Sequence, residues 1–189
     1  MMARPGNFRA RWAIVWGAIA TCLALIVPAI PVTAQQSGGE TTQMSQTRRG
    51  PVTNLPLPRF VSLKASKANV RRGPGLNHRI DWVFQHRGMP LLVTAEYGHW
   101  RRVEDQEGQG GWIYYTMLSG VRTVSVTRDD VRLMSRPDPE SEVVARARLG
   151  AIARLGECVP GWCRITADGI KGWVPRDAIW GVAPDEMRQ

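Results

Sequence analysis

The sequence is poor in the groups that most often carry chemistry. It has three histidines and three cysteines in 189 residues. His78, His86 and His99 have no cysteine or aspartate at ligand spacing, and Cys158 and Cys163 have no further ligands beside them, so no metal site is expected. Four residues separate those two cysteines, not the two of a Cys-x-x-Cys redox pair. No nucleophile and base stand out as a pair, and the carboxylates Glu104, Asp105 and Glu107 fall in a glycine-bearing hairpin and read as a solvated loop. The expectation is a chain without metal or cofactor that is not an enzyme. Lysine is nearly missing: of 25 basic residues only Lys64, Lys67 and Lys171 are lysine. No stretch after residue 34 gives a long amphipathic helix. The one long apolar run, Trp12 to Val27, has 16 residues, short of the roughly 20 that span a bilayer.

That run nevertheless has the layout of an export signal. Arg4, Arg9 and Arg11 precede it without an acid, Pro28 and Pro31 end it, and Val32-Thr33-Ala34 offers small residues for cleavage before Gln35. Cys22 lies inside the run, which argues against lipidation. Residues 1–34 are read as a signal peptide. The alternative is an uncleaved inner-membrane anchor, and membrane contact is expected only through this segment. Residues 35–58 are rich in Gln, Ser, Thr, Gly and Pro and read as a flexible tether.

The rest of the chain is a duplication. Gly88 and Trp100 recur 62 residues later as Gly150 and Trp162. Gly111-Trp112 and Gly120 recur 61 residues later as Gly172-Trp173 and Gly181, a one-residue slip in a hairpin loop. A repeat of this length is a small domain present twice. Period-two alternation around Val124 and Val126, with turn signals about every 8–12 residues, makes each copy all-β, a small barrel or sandwich. The copies are placed at 59–120 and 121–182, with a tail at 183–189. Pro160-Gly161 between Cys158 and Cys163 reads as a tight turn that sets the flanking strand residues face to face, within disulfide reach. In an exported chain that pair is expected to oxidise.

Asn69-Val70-Arg71-Arg72-Gly73-Pro74-Gly75, Trp100-Arg101-Arg102-Val103, Gly111-Trp112-Ile113 and Met117-Leu118-Ser119-Gly120 together resemble the pattern of bacterial SH3 (SH3b) domains. The second copy is similar more loosely, through Asp130-Val131-Arg132, Arg136-Pro137, Trp162-Cys163-Arg164-Ile165 and Gly172-Trp173-Val174. It lacks the Gly-Pro-Gly and, aligned this way, has two extra residues before the proline. Ile179-Trp180-Gly181-Val182 is similar to the close of exported tandem SH3-like proteins of Gram-negative bacteria. The resemblance implies two tandem SH3-like small β-barrels. It implies a non-catalytic periplasmic binding module engaging cell-wall peptidoglycan peptides or an envelope protein, without nucleic acid. The alternative is a structural or scaffolding envelope protein in which one barrel mediates protein–protein contact. Such domains often sit beside a cell-wall hydrolase, and tether and barrels are expected to leave no room for one here.

Trp100, Trp112, Trp162 and Trp173 occur in both copies and are assigned to the shared core. Trp82, Tyr97, Tyr114, Tyr115 and Trp180 occur in one copy only and are better candidates for contact, because exposed aromatics give a rigid surface with a polar tip. Tyr114 and Tyr115 are adjacent on a strand, so one must face outward. Arg71 and Arg72 crowd the first copy and could grip carboxylates with a bidentate fork. The ligand-binding candidates are thus Arg71, Arg72, Trp82, Tyr97, Tyr114 and Tyr115, all in the first copy.

Overall fold

The computed structural model describes residues 48–189. The signal peptide, Cys22 and the first part of the tether lie outside the described residues. The chain begins with a two-stranded ribbon, β1 (Arg48–Arg49) and β2 (Pro56–Leu57). The first copy follows as β3 (Arg59–Leu63), β4 (Ala68–Arg71), β5 (Ile80–Phe84), β6 (Pro90–Tyr97), β7 (Trp100–Glu104), β8 (Gly110–Tyr114) and β9 (Leu118–Ser119). The second is β10 (Thr123–Val126), β11 (Val131–Met134), β12 (Val143–Ala147), β13 (Ile152–Val159), β14 (Trp162–Ala167), β15 (Ile170–Pro175) and β16 (Ile179–Trp180). The chain is all-β, as expected. Each copy is one seven-stranded antiparallel sheet, ordered β5-β4-β8-β7-β6-β3-β9 and β12-β11-β15-β14-β13-β10-β16. The two orders are the same order, strand for strand. Each ladder runs from edge to edge, so the SH3-like units are bent open sheets and not closed barrels.

Each sheet folds over its own aliphatic core. The first is built on Leu63, Val70, Leu91, Val93, Val103 and Ile113, the second on Val126, Leu133, Ala153, Leu155, Ile165 and Val174. These are the same positions in the two sheets. Trp173 is buried, but Trp100, Trp112 and Trp162 are not and belong to neither cluster, which corrects their assignment to the core. Trp100, Trp112 and Trp162 are half-buried, and Trp173 lies under the Arg164 guanidinium, 5.7 Å from its ring centre. The recurring glycine before Trp112 and Trp173 has a packing cause. A Cβ on Gly111 would stand 2.5 Å from the Arg71 carbonyl oxygen, and one on Gly172 2.6 Å from the Leu133 Cβ. Only glycine lets β8 cross β4, and β15 cross β11, so closely.

The end of the expected tether is ordered. β1 pairs with β2, and Leu57 is buried in the first core at 3% exposure. The Glu96 carboxylate holds this arm. It accepts from the Val52 and Thr53 backbone N–H (3.1 and 2.9 Å) and the Thr53 hydroxyl (2.6 Å). It also pairs with Arg59 at 2.7 Å and Arg101 at 3.6 Å. Burial is the largest influence on this carboxyl and opposes its charge. The hydrogen bonds from Thr53, Arg59 and Val52 outweigh it and bring the carboxyl down to about 2.

The second copy replaces this device. Register puts Cys158 and Cys163 where the first copy has Glu96 and Arg101, and their sulfurs are 2.06 Å apart. Arg122, in the place of Arg59, pairs with Glu186 of the tail at 2.7 and 3.0 Å. The tail also pairs with the sheet edge: Cys158 N–H donates to the Arg188 carbonyl at 2.8 Å. The two sheets meet at a seam where the Thr123 hydroxyl donates to the Gly88 carbonyl at 2.6 Å, and Phe60 meets Trp180 edge-on at 5.2 Å.

Candidate functional site

Three strands of the first sheet bring an aromatic row to its surface. Tyr97 on β6 is the cross-strand partner of Trp100 on β7, and Trp100 is the partner of Tyr114 on β8. Directly opposed residues share a face, so the three lie side by side. Trp100 and Tyr114 meet edge-on with ring centres 5.5 Å apart. Tyr115 opens the short 3-10 turn Tyr115–Met117, stacks on His99 at 5.6 Å and lies 5.3 Å from Tyr114. Its ring also lies 6.0 Å from the Arg101 guanidinium. Beside the row is a groove of about 430 Å³ with Lys67, Asn69, Arg71, Leu76, Trp100 and Tyr114 in its walls.

The structure therefore brings two of the six candidates, Arg71 and Tyr114, into one groove. Tyr115 and Tyr97 adjoin it, Tyr97 at 65% exposure. Arg72 and Trp82 are not part of it. Arg72 pairs with Asp81 at 3.1 Å, and Arg79 holds the same carboxylate at 2.7 Å. These bonds keep the Asp81 carboxyl below its usual range, with Arg79 the largest influence. Trp82 lies on the edge strand β5. Trp180 is spent on the seam against Phe60. The sequence reading missed Lys67 and Leu76, which nothing marks in the chain, and Trp100, whose recurrence pointed to the core.

The second copy has a groove at the equivalent place, about 240 Å³, with Asp130, Arg132, Met134, Pro139, Trp162 and Pro175 in its walls. Register corrects the alignment of the copies. Arg71 pairs with Trp112 and Met134 with Trp173, so Arg71 corresponds to Met134 and Pro74 to Pro137. The two extra residues before the proline disappear. Among the described residues no group of three or more His, Cys, Asp or Glu could hold a metal ion.

The fold and groove are those of a paired small β module. The chain belongs to the bacterial SH3 domain family, whose model matches residues 64–120 and 128–181. One relative is a Bacillus subtilis (strain 168) protein named as an N-acetylmuramoyl-L-alanine amidase, YrvJ. It is 25% identical over 147 residues, covering 67% of this chain and 28% of that protein. The chain thus spans little more than a quarter of that relative's length. Two solved structures, NlpC2 and NlpC1 from Trichomonas vaginalis, are similar at 14% and 13% identity, over 65% and 69% of this chain and 48% of each of theirs. Their TM-scores are 0.31 and 0.32 and carry no argument. The amidase relative corrects two expectations, that the chain is a non-catalytic module and that it is not an enzyme.

Proposed function

We propose that this chain acts in the hydrolysis of cell-wall peptidoglycan, with its SH3 pair engaging the wall. The observation that carries this reading is the alignment of 147 residues with a protein named as an N-acetylmuramoyl-L-alanine amidase. The first groove is the proposed contact, with Arg71 and Tyr114 in its walls and Tyr97 and Tyr115 beside it. Arg72 and Trp82 belong to the outer margin of the same copy. The basic, acid-free start and the Val-Thr-Ala site support export to the periplasm, and the Cys158–Cys163 bond fits an oxidising compartment.

The test uses the full chain with purified sacculi. The chain should pellet with sacculi, and new amino groups should appear in the supernatant when it is present, alone or beside an added amidase. A chain that stays soluble and leaves amine release unchanged overturns the proposal. A mature N-terminus at Gln35 in the envelope fraction, read by mass spectrometry, is the expected sign of export. A chain beginning at Met1 and held in the membrane would overturn cleavage.

A further inference from the structure

The two equivalent grooves differ in charge: Lys67 and Arg71 line the first without an acid, whereas Arg128 and Arg132 in the second are balanced by Asp129 and Asp130. Lys67 and Arg71 of the first correspond to Asp130 and Met134 of the second. Arg71 is aimed without being neutralised. Its Nη1 donates to the carbonyl oxygens of Leu76 at 2.9 Å and His78 at 2.7 Å. Among the described residues neither Arg71 nor Lys67 takes part in an ion pair. Nearby arginines of the same copy are committed: Arg59 and Arg101 to Glu96, Arg72 and Arg79 to Asp81. Two carbonyls fix the direction of the Arg71 guanidinium and leave its Nε and Nη2 donors unused within the described residues. Trp100 and Tyr114 add an aromatic wall. In the second groove Asp130 is paired with Arg146, Met134 is buried at 2% exposure, and Pro175 stands where Tyr114 was.

We infer that the first groove is a carboxylate receptor. It takes the carboxylate of a short peptide on Lys67 and Arg71 and holds the peptide's apolar part against Trp100 and Tyr114, and the second groove does not. This rests on the wall-engaging reading and deepens it. A guanidinium held in place beside a second cation favours a charge-assisted bond to a carboxylate over one to an amide.

The probes are N-acetyl-trialanine with a free C-terminal carboxylate and the same peptide as its C-terminal amide. Each is titrated into the isotope-labelled full chain and followed by the tryptophan indole and backbone amide signals. The acid should shift Trp100 and its neighbours and bind at least tenfold tighter than the amide. Lys67→Met with Arg71→Met should remove that preference. Both side chains reach the surface, so the fold should persist, and Lys67→Glu alone should favour the amide. Equal binding of acid and amide, or acid-induced shifts confined to Trp162 and the second groove, would overturn the receptor. If sacculi still pellet the chain while acid and amide bind alike, the receptor fails and wall engagement stands. If the acid preference holds while sacculi leave the chain in solution, the receptor stands and wall engagement fails.

Discussion

Tyr114 and Tyr115 lie outside both cores and beside one groove, so their loss should cost contact and spare the fold. Tyr114→Ala with Tyr115→Ala is expected to weaken sedimentation with sacculi roughly tenfold, about 1.4 kcal/mol, with an unchanged circular dichroism spectrum. Unchanged sedimentation would remove the tyrosines from the site. The cysteines differ, because both are fully inside the second core. Peptide mapping without reductant should find Cys158 and Cys163 joined within one chain. Replacing both with alanine should lower stability by about 2 kcal/mol, from the constraint lost by the unfolded chain. Two freely alkylated thiols in unfolded, unreduced protein would contradict this. Tyr114 was legible because adjacent strand residues point to opposite faces. Trp100 was not, because duplicated copies share a groove as well as a core, and recurrence cannot tell one from the other. Lys67 is one lysine among solvated positions, and only the fold carries it to Arg71.

Among the elements, the arm 48–57 departs most from the sequence reading. Its composition is that of a tether, with few apolar residues to bury. What orders it is Leu57 in the core and a single distant carboxylate, Glu96, which no local pattern reveals. Gly50 belongs to the same device, since a Cβ there would collide with that carboxylate. The Glu96 carboxyl sits at about 2 when folded, against 4.5 as reference. An acid held below its unfolded value stabilises the fold fully above that value, and the contribution fades as pH falls toward 2. The amide signals of Val52 and Thr53 should therefore hold steady through pH 4.5 and move only well below pH 4. A midpoint near 4.5 would show that Glu96 does not hold the arm. Glu96→Gln should lower stability by about 3 kcal/mol, because the buried Arg101 and the half-buried Arg59 would be left without their charged partner. A urea midpoint equal to wild type would refute this. The alignment of β4 with β11 failed for a related reason. A slip of two residues keeps every side chain on its own face, so period-two patterning cannot detect it. Only the ladder to β8 and β15 fixes the register.

At the scale of the molecule, the duplication, the all-β class and the family were legible from the ordered set of Gly and Trp landmarks. The seam was not, because Phe60, Gly88, Thr123 and Trp180 are scattered along the chain and share no motif. Domains of about 60 residues are marginal alone, so mutual support across the seam matters. Calorimetry of the full chain should show one cooperative transition, and Trp180→Ala should lower it and split it into two. A single unshifted transition in the variant would mean that Trp180 does not couple the sheets, and two transitions in the wild type would mean that they stand independently. The two copies also guard the same sheet position with opposite segments of chain, the arm before the first and the tail after the second. In engineering terms the pair is a capped array and not an open-ended one. A third copy spliced on at residue 182 would displace Glu186 and Arg188, strip Arg122 of its partner and expose the strand edge at Cys158. Lengthening this protein would therefore mean inserting units between the copies, with the arm and the tail left in place as end pieces.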